Sequence, residues 1–225
     1  MTTFVIALLA CIASASAATI ALTSSELTAY RFTDVDVDVG GPVTLDLQAD
    51  RDTFVNRHGS GRQTVYGSQS ALVATTPRAT VDIDGTPTTV RRSQVLVSVD
   101  FQPVCNNAQV TDAELTFQVT SPTTVSTLED LELAVVTGTW SESTTNWNNR
   151  PSASTTPAIV TVSPNATTVS FDVTSTITDA NGLFDPASQA VSNGWRITEG
   201  NEVVLASRET GASTSPILAL TASCP

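Results

Sequence analysis

The sequence predicts an all-β chain folded as a two-sheet antiparallel jelly-roll β-sandwich. Three observations carry that expectation. Apolar and polar residues alternate with a period of two, as in Val95, Val97, Val99 and Phe101, then Leu115, Phe117 and Val119, then Leu131, Leu133 and Val135. That period marks strands with one face buried. Clusters of Pro, Gly, Asn and Ser separate such runs at short intervals, as turns between strands require. Sustained helical periodicity is missing, so the layers must be sheets packed on sheets.

Taken in order, residues 1–17 carry no charge, run apolar over residues 4–12 and close on Ala15-Ser16-Ala17. This small-x-small ending predicts a cleaved secretory signal peptide, and the apolar run is too short for a helix of about twenty residues that crosses a bilayer. No other segment looks transmembrane, so a secreted chain, extracellular or at a cell surface, is expected. Residues 18–49 read as a strand extension of the same domain. Asp34, Asp36 and Asp38 alternate there with valines, which sets three carboxylates on one strand face about 7 Å apart. A structural calcium site and a solvated face both fit that pattern; no other cofactor is expected.

Residues 50–225 form the predicted sandwich. Beyond the runs above, strands are expected at residues 43–47, 159–162, 169–173, 195–198, 203–206 and 217–220, roughly ten to twelve in all by alternation. One helical turn or two is expected at residues 175–181, stopped at Asn181-Gly182, where glycine supplies the left-handed conformation.

Charge and cysteine content bound the function. The formal net charge is −12, and all ten basic side chains are arginines. A nucleic-acid partner is disfavoured, because duplex binding draws on a basic surface that neutralises phosphates. Removal of residues 1–17 takes Cys11 away and leaves Cys105 and Cys224. In an oxidising compartment that even pair predicts a disulfide, adding on the order of 4 kcal/mol in the chain-entropy picture. Asn165-Ala166-Thr167 is an N-glycosylation sequon lying between strands.

The densest segment is Trp140-Ser141-Glu142-Ser143-Thr144-Thr145-Asn146-Trp147-Asn148-Asn149-Arg150-Pro151, with two of the three tryptophans. It resembles the signature of the DNRLRE-type domain, carbohydrate-binding module family 96. Further elements follow in the order of that family: Asp50-Arg51-Asp52-Thr53-Phe54-Val55, Tyr66-Gly67-Ser68 with Leu72-Val73, Arg92 leading to Val99-Asp100-Phe101, and Val110-Thr111-Asp112-Ala113-Glu114-Leu115. Phe171-Asp172-Val173-Thr174, Gly194-Trp195, Ala206-Ser207-Arg208-Glu209 and Pro216-Ile217-Leu218 complete the set. The resemblance implies a secreted, non-catalytic sugar-binding sandwich whose ligand is an acidic cell-wall or matrix polysaccharide such as alginate.

Trp140, Trp147 and Trp195 suit either sugar platforms or core packing, and core packing is favoured because indoles bury well once the N–H has a partner. Glu142 and Asn146 are the expected partners, which makes the segment a clasp. Arg150, held extended before Pro151, is expected to point outward. An acidic glycan calls for planar guanidinium donors that grip carboxylates two-pronged. The candidates are Arg57, His58, Arg62, Tyr66, Arg91, Arg92 and Arg150, with Arg78 further along. The Arg57 to Arg62 stretch stands first, being the most basic segment and glycine-rich. A solvated loop whose arginines pair with aspartates, and a neutral glycan held by Asn and Asp, remain alternatives.

Enzymatic readings are weaker. His58 is the sole histidine, against zinc sites built on several imidazoles, and no G-x-S-x-G elbow is present. A polysaccharide lyase would draw on His58, Tyr66 and Arg62, and a glycosidase on Glu142 and Glu209. A structural or adhesive surface protein is a third class.

Overall fold

The computed structural model describes residues 19–21, 42–101, 107–120, 129–155, 158–163, 165–198 and 202–224. Eleven strands occur among them: β1 (Thr19–Ala21), β2 (Val43–Val55), β3 (Ala71–Ile83), β4 (Thr86–Val99), β5 (Gln109–Gln118), β6 (Glu129–Val135), β7 (Ala158–Val162), β8 (Thr168–Asp172), β9 (Trp195–Thr198), β10 (Val203–Ala206) and β11 (Ile217–Ser223). Every pairing is antiparallel except that of β1 with β2.

The first sheet runs β1, β2, β11, β5, β8, and the second runs β2, β4, β9, β6, β7. β2 belongs to both. Its first half pairs with β11 and its second half with β4, and the register shifts between Ala49 and Arg51. A bulge adds local twist and bends its strand, so this one turns a single sheet over on itself. On the far side β7 lies beside β8, and the sandwich is nearly closed into a barrel. The strand extension expected to end at residue 49 is thus continuous with the strand that follows. Residues 1–17, Asp34, Asp36, Asp38 and Cys105 lie outside the described residues.

β3 and β4 form a long hairpin whose two-residue tip is Asp84-Gly85, with φ of 51° and 77°. Two positive φ values are what a type I′ turn demands, and Asp-Gly is among its preferred pairs. Pro77 sits where the β3–β4 register slips between Thr75 and Arg78, a place where a missing N–H costs no ladder bond.

The main core fills the space between the sheets with Phe54, Phe117, Phe171, Leu115, Leu133, Trp195 and Ile197, all at most 2 % exposed. The expected helical stretch is shorter than predicted: α1 spans Thr174–Ile177, and Thr178 already pairs in extended form with Phe184. A second turn, α2 (Gln189–Asn193), was not expected. Ser188 caps it by accepting from the Ala190 N–H, and Gly194 ends it at φ 75°. A Cβ on Gly194 would lie 2.0 Å from the Val97 carbonyl oxygen, so this position takes glycine on both counts.

A smaller apolar cluster of Val55, Leu96, Val136 and Trp140, with Trp147 packed against it, lies apart from the main core. Register explains it. Phe54 pairs with Val95 and Ile197 with Val95 and Leu133, all in the main core. Their strand neighbours Val55, Leu96 and Arg196 therefore face the opposite way. The Trp140 to Pro151 loop covers this outer face of the second sheet.

Candidate functional site

The chain leaves β2 at Asn56, enters Arg57-His58 and tightens into a 3-10 turn at Gly59–Gln63. Asn56, 1 % exposed, stitches this loop to β4. Its Oδ1 accepts from the His58 N–H at 2.9 Å and the Arg91 N–H at 3.1 Å, and its Nδ2 donates to the Thr89 carbonyl at 3.0 Å. The Arg57 N–H donates to the Arg91 carbonyl at 3.1 Å. A buried amide satisfied at both ends is a rigid hinge pin. Gly61 lies against it, since a Cβ there would sit 2.7 Å from Asn56 Nδ2 and 3.0 Å from the Tyr66 hydroxyl.

Between loop and strand opens a groove of about 500 Å³ lined by Arg57, His58, Gly59, Arg62, Arg91 and Arg92. Arg62 is oriented by its Nε–H, which donates to the Arg57 carbonyl at 3.0 Å. Arg92 takes φ 47°, the left-handed region that a non-glycine residue seldom enters unless its surroundings hold it there. Adjacent arginines on a strand would face opposite ways, and this departure lets Arg91 and Arg92 line one groove. Arg78 lies outside the lining but is the cross-strand partner of Arg91.

The charges are segregated. Among the described residues, ion pairs join Arg51 to Asp50, and Arg208 to Glu142 and Glu209. Arg57, Arg62, Arg78, Arg91, Arg92, Arg150 and Arg196 make none. In a chain of net charge −12, the groove arginines have no ion pair to an aspartate among the described residues.

Tyr66 does not line the groove. It is 8 % exposed, stacks on Phe54 with ring centroids 4.1 Å apart, and its hydroxyl accepts from Asn56 Nδ2 at 3.4 Å. Of the lyase trio, His58 and Arg62 meet at the groove while Tyr66 supports its back wall. Arg150 does not project freely: its guanidinium lies 3.8 Å from the Trp147 ring centroid and donates to the Trp147 carbonyl at 2.7 Å. Arg57 lies 6.0 Å from the same ring. Burial, then repulsion from Arg196 and Arg57, pushes the Arg150 pKa down.

The tryptophans divide. Trp140 and Trp195 are buried and Trp147 is half-buried. Their indole partners differ from those expected: Trp140 donates to the Asn193 carbonyl at 2.7 Å and Trp195 to Thr176 Oγ1 at 3.1 Å. Asn146 serves the loop backbone, accepting from the Asn148 N–H at 2.9 Å, while Asn149 Oδ1 accepts from the Asn146 N–H at 2.7 Å. Short amides bond their own backbone in this way in turns. Glu142 receives two bonds from the Arg208 guanidinium, at 3.1 and 2.8 Å, and one from the Asp52 N–H at 3.1 Å.

Asp52, Glu142 and Glu209 bring carboxylate oxygens within 4.8 Å of one another. Arg208 supplies the positive charge among them, and its N–H donates to Asp52 Oδ2 at 2.7 Å. Glu142 and Glu209 thus share one guanidinium. Asp52 is 1 % exposed and its Oδ1 has no partner. Burial raises its pKa to about 7, with Glu209 and Glu142 adding and the bond from Arg208 opposing. Gly67 lies tight against this group, since a Cβ there would meet Glu142 Cγ at 2.3 Å.

The segments that carry the sequence resemblance therefore meet in space: Asp52, Gly67, Glu142 and Arg208-Glu209 form one packed cluster beside Trp140. Sequence reasoning missed Asn56, a lone asparagine whose role depends on contacts far along the chain. Asn165 is exposed in the turn between β7 and β8. No helix among the described residues is long and apolar enough to cross a membrane. A search of curated proteins found no match. The sequence model of carbohydrate-binding module family 96 matches residues 43–222, a span that opens at the first residue of β2 and closes within β11, and the chain belongs to that family.

Proposed function

We propose that this carbohydrate-binding module is secreted, is non-catalytic, and holds an acidic polysaccharide of the alginate type in the Arg57–Arg92 groove. The single observation that carries the reading is the groove itself, lined by four arginines and a histidine, none of which has an ion pair to a carboxylate among the described residues. Unpaired guanidiniums of one sign repel each other, and a row of uronate carboxylates offsets that repulsion while satisfying the donors two at a time. Polar and partly open to solvent, such a groove accommodates a polymer running through it.

Secretion rests on the leader read at residues 1–17. The Cys105–Cys224 disulfide belongs to the same proposal. Ser223 pairs with Gln109 across β11 and β5, so Cys224 follows directly beside the strand that Cys105 precedes.

Affinity electrophoresis through gels containing alginate, pectate, a sulfated glycan, or a neutral β-glucan tests the reading. Retardation by the uronates and not by the neutral glycan is expected. Equal mobility in every gel sinks it and leaves a structural or adhesive role. Growth of absorbance from unsaturated uronate ends during incubation with alginate would overturn the non-catalytic assignment in favour of a lyase.

A further inference from the structure

The outer face of the second sheet carries charge that the groove does not use. Arg196 sits on β9 opposite Leu96 on one side and Ala134 on the other, and Leu96 belongs to the apolar cluster on which Trp147 packs. Arg196 is half-buried, makes no ion pair, and its Nε–H has no acceptor within the protein. On β4, Gln94 Oε1 is likewise buried and unpartnered, and Gln94 pairs with Val55 of the same cluster. Arg150 and Arg57 both approach Trp147, at 3.8 and 6.0 Å from its ring centroid. Among the described residues the carboxylate acting on Arg196 is Glu132, which also accepts from Thr198 Oγ1 at 3.4 Å.

We propose that the ligand path leaves the groove over Arg57 and continues onto this face, where Arg57, Arg150 and Arg196, ranged about Trp147, form a second anion subsite for the next acidic residues of the same polysaccharide chain. This rests on the groove reading, because Arg57 is common to both. Cations on an indole face are attracted by the ring quadrupole, so Trp147 acts as a floor that positions guanidiniums and is not itself a platform for sugar. Arg57 and Arg150 share that floor, and Arg196 lies near enough to Arg150 to repel it. Burial and then repulsion from Arg196 and Arg57 lower the Arg150 pKa, and that repulsion is relieved when an anion arrives. A uronate residue brings a carboxylate that accepts from these guanidiniums.

The consequence is a dependence on ligand length. Short oligouronates fill the groove alone, and longer ones reach the second subsite. Titration calorimetry with oligouronates of defined length tests this on the wild-type protein, Arg196→Gln and the groove variant Arg62→Gln. Wild-type affinity should rise with length, and Arg196→Gln should leave short oligomers within about twofold of wild type while weakening long ones about tenfold, one charge-assisted pair. Arg196→Lys should recover part of the loss. Arg62→Gln should weaken short and long oligomers alike.

An Arg196→Gln protein that binds long oligomers as wild type does overturns the second subsite. If Arg62→Gln leaves short oligomers unaffected, the groove reading falls instead. Should Arg196→Gln melt early, the Trp147 contribution to fluorescence, obtained by difference from Trp147→Phe, replaces it. That emission should shift with long oligomers and stay constant with short ones, and a constant emission with both overturns the proposal.

Discussion

Replacing Asp52 by asparagine should flatten the pH dependence of stability. Asp52 lies in β2, 1 % exposed, with one carboxylate oxygen held by the Arg208 N–H and the other without a partner. Burial raises its pKa from 3.8 to about 7. A carboxyl that binds its proton more tightly folded than unfolded stabilises the fold while protonated. That contribution is complete below the unfolded pKa and is lost as pH climbs through the folded one. At about 1.4 kcal/mol per pKa unit, the wild-type protein should lose about 3 kcal/mol from Asp52 between about pH 5 and about pH 8. Asp179, the other shifted carboxylate among the described residues, is depressed by N–H bonds from Leu183 and Asn181, and it titrates below that window. Asp52→Asn keeps an acceptor for Arg208 and removes the ionisation. Urea denaturation across the window, with a constant dependence on urea, should show a falling wild-type curve and a flatter variant curve, with the variant the more stable of the two at the alkaline end. Parallel curves would refute the assignment of the buried charge to Asp52.

Three further outcomes follow from the packing. Trp140→Ala should cost about 3–5 kcal/mol, as expected for a large buried aromatic, whereas Trp140→Phe keeps most of the packing and leaves the Asn193 carbonyl unsatisfied, a cost of about 1–3 kcal/mol; thermal melts of the pair separate the terms. Gly61→Ala should push the loop off Asn56 and Tyr66, weakening alginate binding while the far-ultraviolet spectrum stays β-like; unchanged affinity would mean that the loop does not shape the groove. Mass spectrometry after alkylation should find Cys105 and Cys224 blocked until reduction, and reduction should cost on the order of 4 kcal/mol; labelling without reductant would remove the disulfide from the account.

Strands were the most legible part of the chain because alternation reports burial directly. The pattern of Val95, Val97 and Val99 reappears as one buried face of β4, and that of Leu115 and Phe117 as one buried face of β5. Less legible was the Pro77 to Thr89 stretch, most of which is exposed, with only Val81 and Ile83 reaching the main core. The arginines of the groove were readable as a set because so few cations exist in an acidic chain. Their supports were not: Asn56 acts through Thr89 and Arg91, and no local pattern announces a bond across that gap. Indole partners were misassigned for the same reason, with Trp140 reaching Asn193 and not a group in its own loop. Arg196 gave no signal at all, since an arginine between Trp195 and Ile197 reads as the solvated side of an alternating strand.

The most direct test of the central claim is calorimetric titration of alginate into the wild-type protein and into Arg57→Ala with Arg62→Ala, at low and at high salt. The groove account predicts wild-type binding that weakens with salt, as exposed charge pairs do, and a double variant that loses most of its affinity while its stability falls by no more than about 1 kcal/mol, as at surface positions. Wild-type affinity retained by the double variant, or binding indifferent to salt, would contradict it.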